Sequence, residues 1–123
     1  MPWLSRIAPE LPVRDLKDAI RYYEEILGFR LVADFPAGAY AIVERDDVAI
    51  HLFEDTSPGK SPVSIHVFVN GLDELQAELL SRGAQLSQTI IMKPWGNRDL
   101  RVNDPFGNEL KFTEPVSELN GNR

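Results

Sequence analysis

The side chains in this sequence best suited to chemistry are two histidines, His51 and His66, and Ser64, which precedes His66 by two positions. A serine and a histidine could act as a nucleophile and its base. However, alternate residues on a strand point in parallel, and no acid that would orient the histidine is evident. The sequence also contains no glycine-rich phosphate loop, no Gly-x-Ser-x-Gly elbow and no His-Glu-x-x-His pair. The absence of cysteine excludes a thiol nucleophile. These residues alone therefore predict no catalytic constellation.

Aromatic side chains accompany both histidines. Alternation along each strand places His51 with Phe53, and His66 with Phe68, on the face opposite to the apolar residues that should pack beneath a helix. Trp95 lies in a predicted loop, where its indole could stack on a flat heteroaromatic ligand or anchor the loop in the core. If the face that carries these residues curves, it forms a groove with aromatic walls and a few polar groups, which is what a small-molecule site needs.

Five further residues complete the predicted ligand-binding set. Phe35 and Tyr40 flank a turn that could overhang the groove or only close a hairpin. The polar members share the strand face of His66, and they are Ser64, Glu109 and Lys111.

A faint internal duplication organises the elements that must position these residues. Val13 and Val69 are 56 positions apart in two similar phrases, and Gly28 and Gly83, which each follow a helical pattern, are 55 apart. Two strand–helix units in near register indicate two copies of one module. We predict a single domain over residues 1–123, with module one at about 6–54, a turn-rich linker at 55–62, module two at about 63–114 and a tail at 115–123.

Each copy is predicted to consist of a strand, a helix and three further strands. The first helix follows Asp15 as its N-cap and ends before Gly28; the second has Asn70 as its predicted cap and ends before Gly83. The later strands are expected at about 30–34, 40–44 and 48–53, and at about 85–91, 99–103 and 110–113. Tight turns are predicted at 45–47 and 104–108. The predicted fold is α+β, with two βαβββ modules whose curved mixed sheets surround a groove.

Composition and charge limit the partners. Thirteen Lys and Arg against nineteen Asp and Glu give a net charge of −6, and no cluster of basic residues is present. Nucleic acid and anionic membrane surfaces are therefore not expected, whereas a cationic ligand is permitted. The apolar stretches are far shorter than the ~20 residues that cross a bilayer. The segment 1–6 also lacks the apolar core of a signal peptide, so we expect a cytoplasmic protein.

Several phrases resemble the vicinal oxygen chelate superfamily, which includes glyoxalases, bleomycin-resistance proteins and extradiol dioxygenases. They are 11–16 leading to 22–29, and 94–96 followed by 104–108, and the resemblance covers roughly Arg6 to Glu114. Within the superfamily, the chain is most similar to the bleomycin-resistance binding proteins, on the phrases 45–48, 70–75 and 94–98. This resemblance implies a homodimer with domain-swapped arms and two grooves at its interface, each of which sequesters a cationic drug without transforming it.

The enzymes of this superfamily hold a divalent metal on four strand positions. The resemblance maps these positions onto Ala8, His51, Ser64 and Lys111. Only His51 is a good ligand, and Lys111 would place a cation where the charge of the metal should lie. We therefore expect no metal and no cofactor. A shifted site that combines His51, His66 and Glu109 is the alternative.

The function predicted on this basis is sequestration of a bleomycin-like or other flat, cationic natural product, without metal, which would confer antibiotic resistance. The alternative is a metal-dependent lyase, isomerase or dioxygenase that uses the shifted site. A third possibility is an interaction module that binds no small molecule.

Overall fold

The computed structural model describes residues 1–57 and 61–115. These described residues contain two α-helices and eight strands, in the order β1 Glu10–Val13, α1 Leu16–Arg21, β2 Arg30–Phe35, β3 Tyr40–Arg45, β4 Val48–Glu54, β5 Ser64–Phe68, α2 Leu72–Ser81, β6 Leu86–Met92, β7 Asn97–Asn103 and β8 Glu109–Pro115. Short helical turns also occur at Tyr22–Ile26 and Pro36–Gly38. The middle of the predicted linker, 58–60, and nearly all of the predicted tail, 116–123, lie outside the described residues. No helix in the described part is long and apolar enough to cross a membrane.

The strands form two four-stranded mixed sheets, one in each half of the chain. Sheet A has the order β1-β4-β3-β2, and sheet B has the order β5-β8-β7-β6. The first strand of each module runs parallel to the last, with Glu10 opposite His51 in sheet A and His66 opposite Lys111 in sheet B. The remaining neighbours are antiparallel. The predicted α+β fold of two βαβββ modules is therefore confirmed.

Alternation along the strands builds the core between sheets and helices. Leu52 of sheet A and Leu100 and Leu110 of sheet B are fully buried, and they belong to one apolar cluster with Leu72 and Leu79 of α2. Burial of each such leucine contributes about 1.5–3 kcal/mol. The strand residues between them therefore point to the opposite side, away from the helices.

The first helix begins as predicted but ends differently. The Asp15 carboxylate accepts a hydrogen bond from the backbone N–H of Asp18 at 3.1 Å and so caps α1. After Arg21 the α-helix gives way to a π-helical turn, in which the Leu27 N–H donates to the Tyr22 carbonyl at 3.2 Å. A π-turn contains one more residue than an α-turn. With this spacing, the neighbouring side chains Tyr22 and Tyr23 both reach module two.

The predicted cap of the second helix is wrong. Asn70 lies before the cap position, which is taken by Gly71 at a φ of 83°. The Glu114 carboxylate of β8 instead accepts from the N–H groups of Gly71 at 2.8 Å and Leu72 at 3.4 Å. Arg98, at 2.6 Å, and these backbone donors lower the pKa of Glu114. A cap supplied from 43 positions away along the chain is not detectable in the local sequence.

The turn at 104–108 joins the two modules. Asp104 accepts a hydrogen bond from the Tyr23 hydroxyl at 3.0 Å, and the Asn108 amide donates to Asp104 and to the Pro12 carbonyl of β1, both at 2.9 Å. The Asn108 side-chain oxygen also accepts from the Val63 N–H at 2.9 Å. Burial, followed by the charge of Asp104, raises the pKa of Tyr23 well above its ordinary value. These polar groups are buried, so each depends on its partners.

Replacement of Asn108 by alanine should destabilise the whole domain. N108A removes three hydrogen bonds and leaves buried partners unpaired, so we expect the free energy of unfolding to fall by about 2–4 kcal/mol. The measurement is a urea titration in which the midpoint falls while the slope is unchanged. The matched control, N103A, removes an exposed asparagine at the same hairpin and should stay within about 0.5 kcal/mol of wild type. Equal unfolding free energies for the two variants would contradict this account.

Candidate functional site

The sheet faces turned away from the helices carry most of the predicted site residues. We call these faces distal face A and distal face B. On distal face A lie Glu10, Pro12, Tyr40, Ile42, His51 and Phe53. On distal face B lie Ser64, His66, Phe68, Gln88, Asp99, Arg101, Glu109, Lys111 and Thr113. The predicted set is thus divided between two sheets of one chain.

A three-residue hydrogen-bond chain forms the polar centre of distal face A. The Tyr40 hydroxyl lies 2.7 Å from Oε2 of Glu10 and 2.7 Å from Nδ1 of His51. The parallel pairing of β1 with β4 sets Glu10 beside His51, and the antiparallel pairing of β3 with β4 places Tyr40 diagonally across from His51. Tyr40 and His51 were predicted to line a groove, whereas Glu10 was not.

The number of protons that each group can donate determines the direction of these hydrogen bonds. An ionised carboxylate only accepts, so the single hydroxyl proton of Tyr40 goes to Glu10. The Tyr40 oxygen must then accept from His51, whose Nδ1 therefore carries a proton. In the neutral imidazole, Nε2 is left with its lone pair. Desolvation, together with the hydrogen bond to Glu10, raises the pKa of Tyr40, so the hydroxyl keeps its proton and remains a donor.

Distal face B is richer in charge. Glu109 accepts a hydrogen bond from the Ser64 hydroxyl at 3.1 Å and lies 3.7 Å from Nζ of Lys111. His66 contacts the Thr113 hydroxyl through Nδ1 at 3.1 Å, and its ring stacks on Phe68 with centroids 6.2 Å apart. These residues were predicted to share one face, and the register of β5 with β8 brings them together.

Asp99 is the buried carboxylate of distal face B, and it was not among the predicted site residues. Its side chain accepts from the Gln88 amide at 2.6 Å and lies 3.9 Å from Nζ of Lys93 and 3.6 Å from Nε of Arg101. Only 3% of the Asp99 side chain is exposed. Charged residues in a strand usually face solvent, so neither Asp99 nor Arg101 stands out before the register of β6, β7 and β8 is known.

The large aromatic side chains of the predicted set are mostly open to solvent. Trp95, in the turn between β6 and β7, is 66% exposed, Phe68 is 68% exposed and Phe35 is 54% exposed. Phe53 is partly buried opposite Tyr40. Trp95 therefore does not anchor its loop in the core. Exposed rings of this size are available for stacking.

A cavity of about 450 Å³ opens between the two modules rather than on the distal faces. Its lining combines apolar residues from both halves of the chain with several carboxylates. The lining residues are Leu27, Phe29, Arg45, Asp46, Asp47, Val48, Val67, Phe68, Val69, Asn70, Gly71, Glu74, Leu75, Glu78 and Phe112. Of the predicted site residues, only Phe68 borders it. Arg45 binds Glu78 at 2.6 Å, so one of the surrounding carboxylates is already neutralised.

Comparison with known proteins identifies the family. Residues 3–112 match the model of the Glyoxalase/Bleomycin resistance protein/Dioxygenase superfamily. The chain belongs to this superfamily. The resemblance inferred from the sequence phrases is thereby confirmed.

Individual members of the superfamily match over nearly their whole length. A bleomycin resistance protein of Geobacillus stearothermophilus is 31% identical, over 88% of this chain and 95% of the relative. A bleomycin-binding protein crystallised with bleomycin superposes with a TM-score of 0.77 and 25% identity, over 90% of this chain and 98% of the other. The bleomycin resistance determinant of transposon Tn5 gives a TM-score of 0.80 at 24% identity, over 91% and 98%, and so shares the fold.

The four positions that hold a metal in enzymes of the superfamily do not fit a metal here. Ala8 carries no donor atom, Ser64 is already bound to Glu109, and Lys111 adds a positive charge. The shifted alternative is not assembled within one chain, because His51 lies on sheet A while His66 and Glu109 lie on sheet B. In the described ranges no three His, Cys, Asp or Glu residues lie close enough together to hold a metal ion.

The direction of the Tyr40 hydrogen bonds can be tested in the spectrum of His51. At about pH 9, where an ordinary histidine is neutral, long-range proton–nitrogen NMR should show His51 protonated at Nδ1 and bare at Nε2. Y40F removes the oxygen that accepts from Nδ1 and should shift His51 toward the other tautomer. The signals of His66 provide an internal control and should not move. A wild-type His51 protonated at Nε2 alone would show that the argument from Glu10 is incorrect.

Proposed function

We propose that this protein binds and sequesters a flat, cationic natural product of the bleomycin type, without a metal and without transforming it. The observation that carries the proposal is the pair of exposed rings Trp95 and Phe68, on a chain that is 31% identical to a bleomycin resistance protein. Protection of a cell against such a drug follows from sequestration, because bound drug does not reach its target.

Stacking supplies the affinity in this proposal. A flat ligand that covers Trp95 removes apolar area from water and also gains about 0.5–1.5 kcal/mol from each favourable ring contact. The net charge of −6 attracts a cationic ligand from a distance and raises its rate of association.

The competing function is metal-dependent catalysis, as in the enzymes of the superfamily. It needs a divalent ion, and the residues at the four expected positions give this little support. Elemental analysis of purified protein separates the two functions, because stoichiometric Ni, Zn, Fe or Mn would favour an enzyme. Bleomycin binding that persists in the presence of a chelator would favour sequestration.

Removal of the Trp95 ring should weaken binding of metal-free bleomycin. Because aromatic anchors dominate such sites, W95A should raise the dissociation constant by about tenfold or more in calorimetric titrations with chelator present. The control L80A removes an exposed apolar side chain of α2 and should bind like wild type. A W3F variant makes Trp95 the remaining tryptophan, so that quenching reports on it directly. Unchanged affinity in W95A, or no binding by wild type, would contradict the proposal.

The proposal includes a homodimer in which the N-terminal arms are exchanged. Residues 1–9 belong to no strand, and Trp3, Leu4 and Ile7 are each about nine-tenths exposed. Apolar side chains this exposed and this close together usually mark an interface. A second copy would cover the arm and bring a distal face A toward a distal face B, which would enclose a groove that one chain leaves open.

The role of the N-terminal arm in dimerisation can be tested by sedimentation, which measures the mass of the assembly in solution. Wild type should sediment at twice the chain mass of 13.9 kDa, whereas a variant with serine at Trp3, Leu4 and Ile7 should sediment as a monomer at the same concentration. L80S, which makes the same kind of change outside the arm, should remain a dimer. A wild-type monomer at high concentration, or a dimeric triple-serine variant, would remove the arm from the proposal.

A further inference from the structure

A row of basic side chains crosses distal face B. The registers of sheet B place His66 opposite Lys111, and Lys111 opposite Arg101. The strand neighbours of Lys111 (Leu110 and Phe112) and of Arg101 (Leu100 and Val102) are buried in the core, and so is Val67 beside His66. The three side chains of the row therefore all point to the other side. Like charges directly opposite each other destabilise a sheet. Adjacent basic residues are therefore unexpected here, because the chain is acidic overall, with a net charge of −6.

The two full cations of the row lack hydrogen bonds within the described part of the chain. Nε of Arg101 is buried and has no hydrogen-bond partner there. Its nearest carboxylate oxygen, on Asp99, is 3.6 Å away, and Nζ of Lys111 is 3.7 Å from Glu109. Both distances exceed those of a charge-assisted hydrogen bond, about 2.7–2.9 Å. The donors are therefore attracted to nearby carboxylates but not saturated by them.

The carboxylates on this face do not balance the cations. Lys93 and Arg101 share one oxygen of Asp99, Oδ1, which also accepts a hydrogen bond from the Gln88 amide at 2.6 Å. Glu109 is divided between Lys111 and the Ser64 hydroxyl. Three cations therefore face two carboxylates. The cationic side chains are mostly covered, with only 25% of Arg101, 22% of Lys111 and 14% of Lys93 exposed.

We propose that Arg101 and Lys111 form a binding subsite for an oxyanion, a carboxylate or sulfate group carried by the small molecule that this face binds. A planar oxyanion presents the acceptors that a guanidinium and an ammonium need, and it supplies the missing negative charge. His66 belongs to the same row, and the imidazolium form of a histidine donates through both ring nitrogens, so Nε2 of that form could reach the oxyanion as well. The proposal rests on the proposed function in that the anionic group belongs to the ligand of the groove.

An oxyanion subsite also accounts for the presence of a lysine, Lys111, at a position where the enzymes of the superfamily have a metal ligand. Lys111 occupies one of the four metal positions inferred from the resemblance, and its register neighbour Arg101 adds a second fixed positive charge. Fixed cations can hold ligand oxygens where a divalent ion would otherwise do so. The flat, cationic ligand of the proposed function would therefore also carry an oxyanion.

Naphthalene-2-carboxylate and its neutral amide are matched probes for the subsite. They share one ring system and differ in charge, so we expect wild type to bind the carboxylate at least about tenfold more tightly by calorimetry. Inorganic sulfate should compete with the carboxylate and should shift the Arg101 side-chain N–H signal in NMR. The double variant R101Q/K111Q should bind carboxylate and amide equally. K17Q, which removes an exposed lysine from α1, should retain the preference.

Several outcomes would overturn the subsite. One is that wild type binds the carboxylate and the amide with equal affinity. Another is that K17Q loses the preference for the carboxylate as the double variant does. A third is that sulfate does not shift the Arg101 side-chain signal. A fourth is that wild type binds neither probe while R101Q/K111Q changes the oligomeric state of the protein in solution. The row would then be occupied by carboxylates of a second copy of the chain. The wild-type sulfate titration needs no variant, so a misfolded double variant leaves the test intact. A chain that binds naphthalene-2-carboxylate but not bleomycin would keep the subsite and refute the drug proposal.

Discussion

The arrangement of the two modules depends on a network of hydrogen bonds around one buried carboxylate, that of Asp104. It accepts from Tyr23 of module one and from the side chain and backbone of Asn108, and Asn108 in turn holds the Pro12 carbonyl of β1. In a low-dielectric interior these bonds are strong, and losing any one leaves an unpaired group. The network therefore sets the position of β1, which carries Glu10, relative to the hairpin of β7 and β8, which carries Arg101 and Lys111.

Local patterns predicted the elements because the causes of those elements are local. The Asp15 cap acts three residues along the chain, and strand alternation follows from the pleat, so the sequence contains both signals. The cap of α2 comes from Glu114. The π-turn after Arg21 contains Tyr22 and Tyr23, whose hydroxyls donate hydrogen bonds to the turn at 103–104. Both features involve residues more than forty positions away along the chain, so local patterns predicted Asn70 as the cap and a regular helix.

The same distinction explains how much of the candidate site could be predicted. Alternation correctly grouped His51 with Phe53 and His66 with Lys111 and Glu109, because each group needs only the periodicity of its own strands. Glu10 and Arg101 were missed, since nothing in their immediate sequence distinguishes a charge on an exposed strand from one aimed at a partner. Only the pairing of β1 with β4, and of β7 with β8, shows that Glu10 reaches Tyr40 and that Arg101 lies beside Lys111.

In the proposed dimer, distal face A of one copy and distal face B of the other would offer opposite chemistry to a ligand between them. Distal face A has the carboxylate of Glu10, which accepts hydrogen bonds, and the imidazole of His51, whose Nδ1 contacts the Tyr40 hydroxyl. Distal face B has the cations of Arg101 and Lys111, so it donates hydrogen bonds. A ligand held in that groove would need donors on one edge and an oxyanion on the other. The flat, cationic ligand proposed above would therefore need to carry an oxyanion as well, because Arg101 and Lys111 would repel a ligand whose charges are all positive. The charge of the whole chain therefore governs the approach of a ligand, and the local arrangement of a few side chains decides which ligand stays.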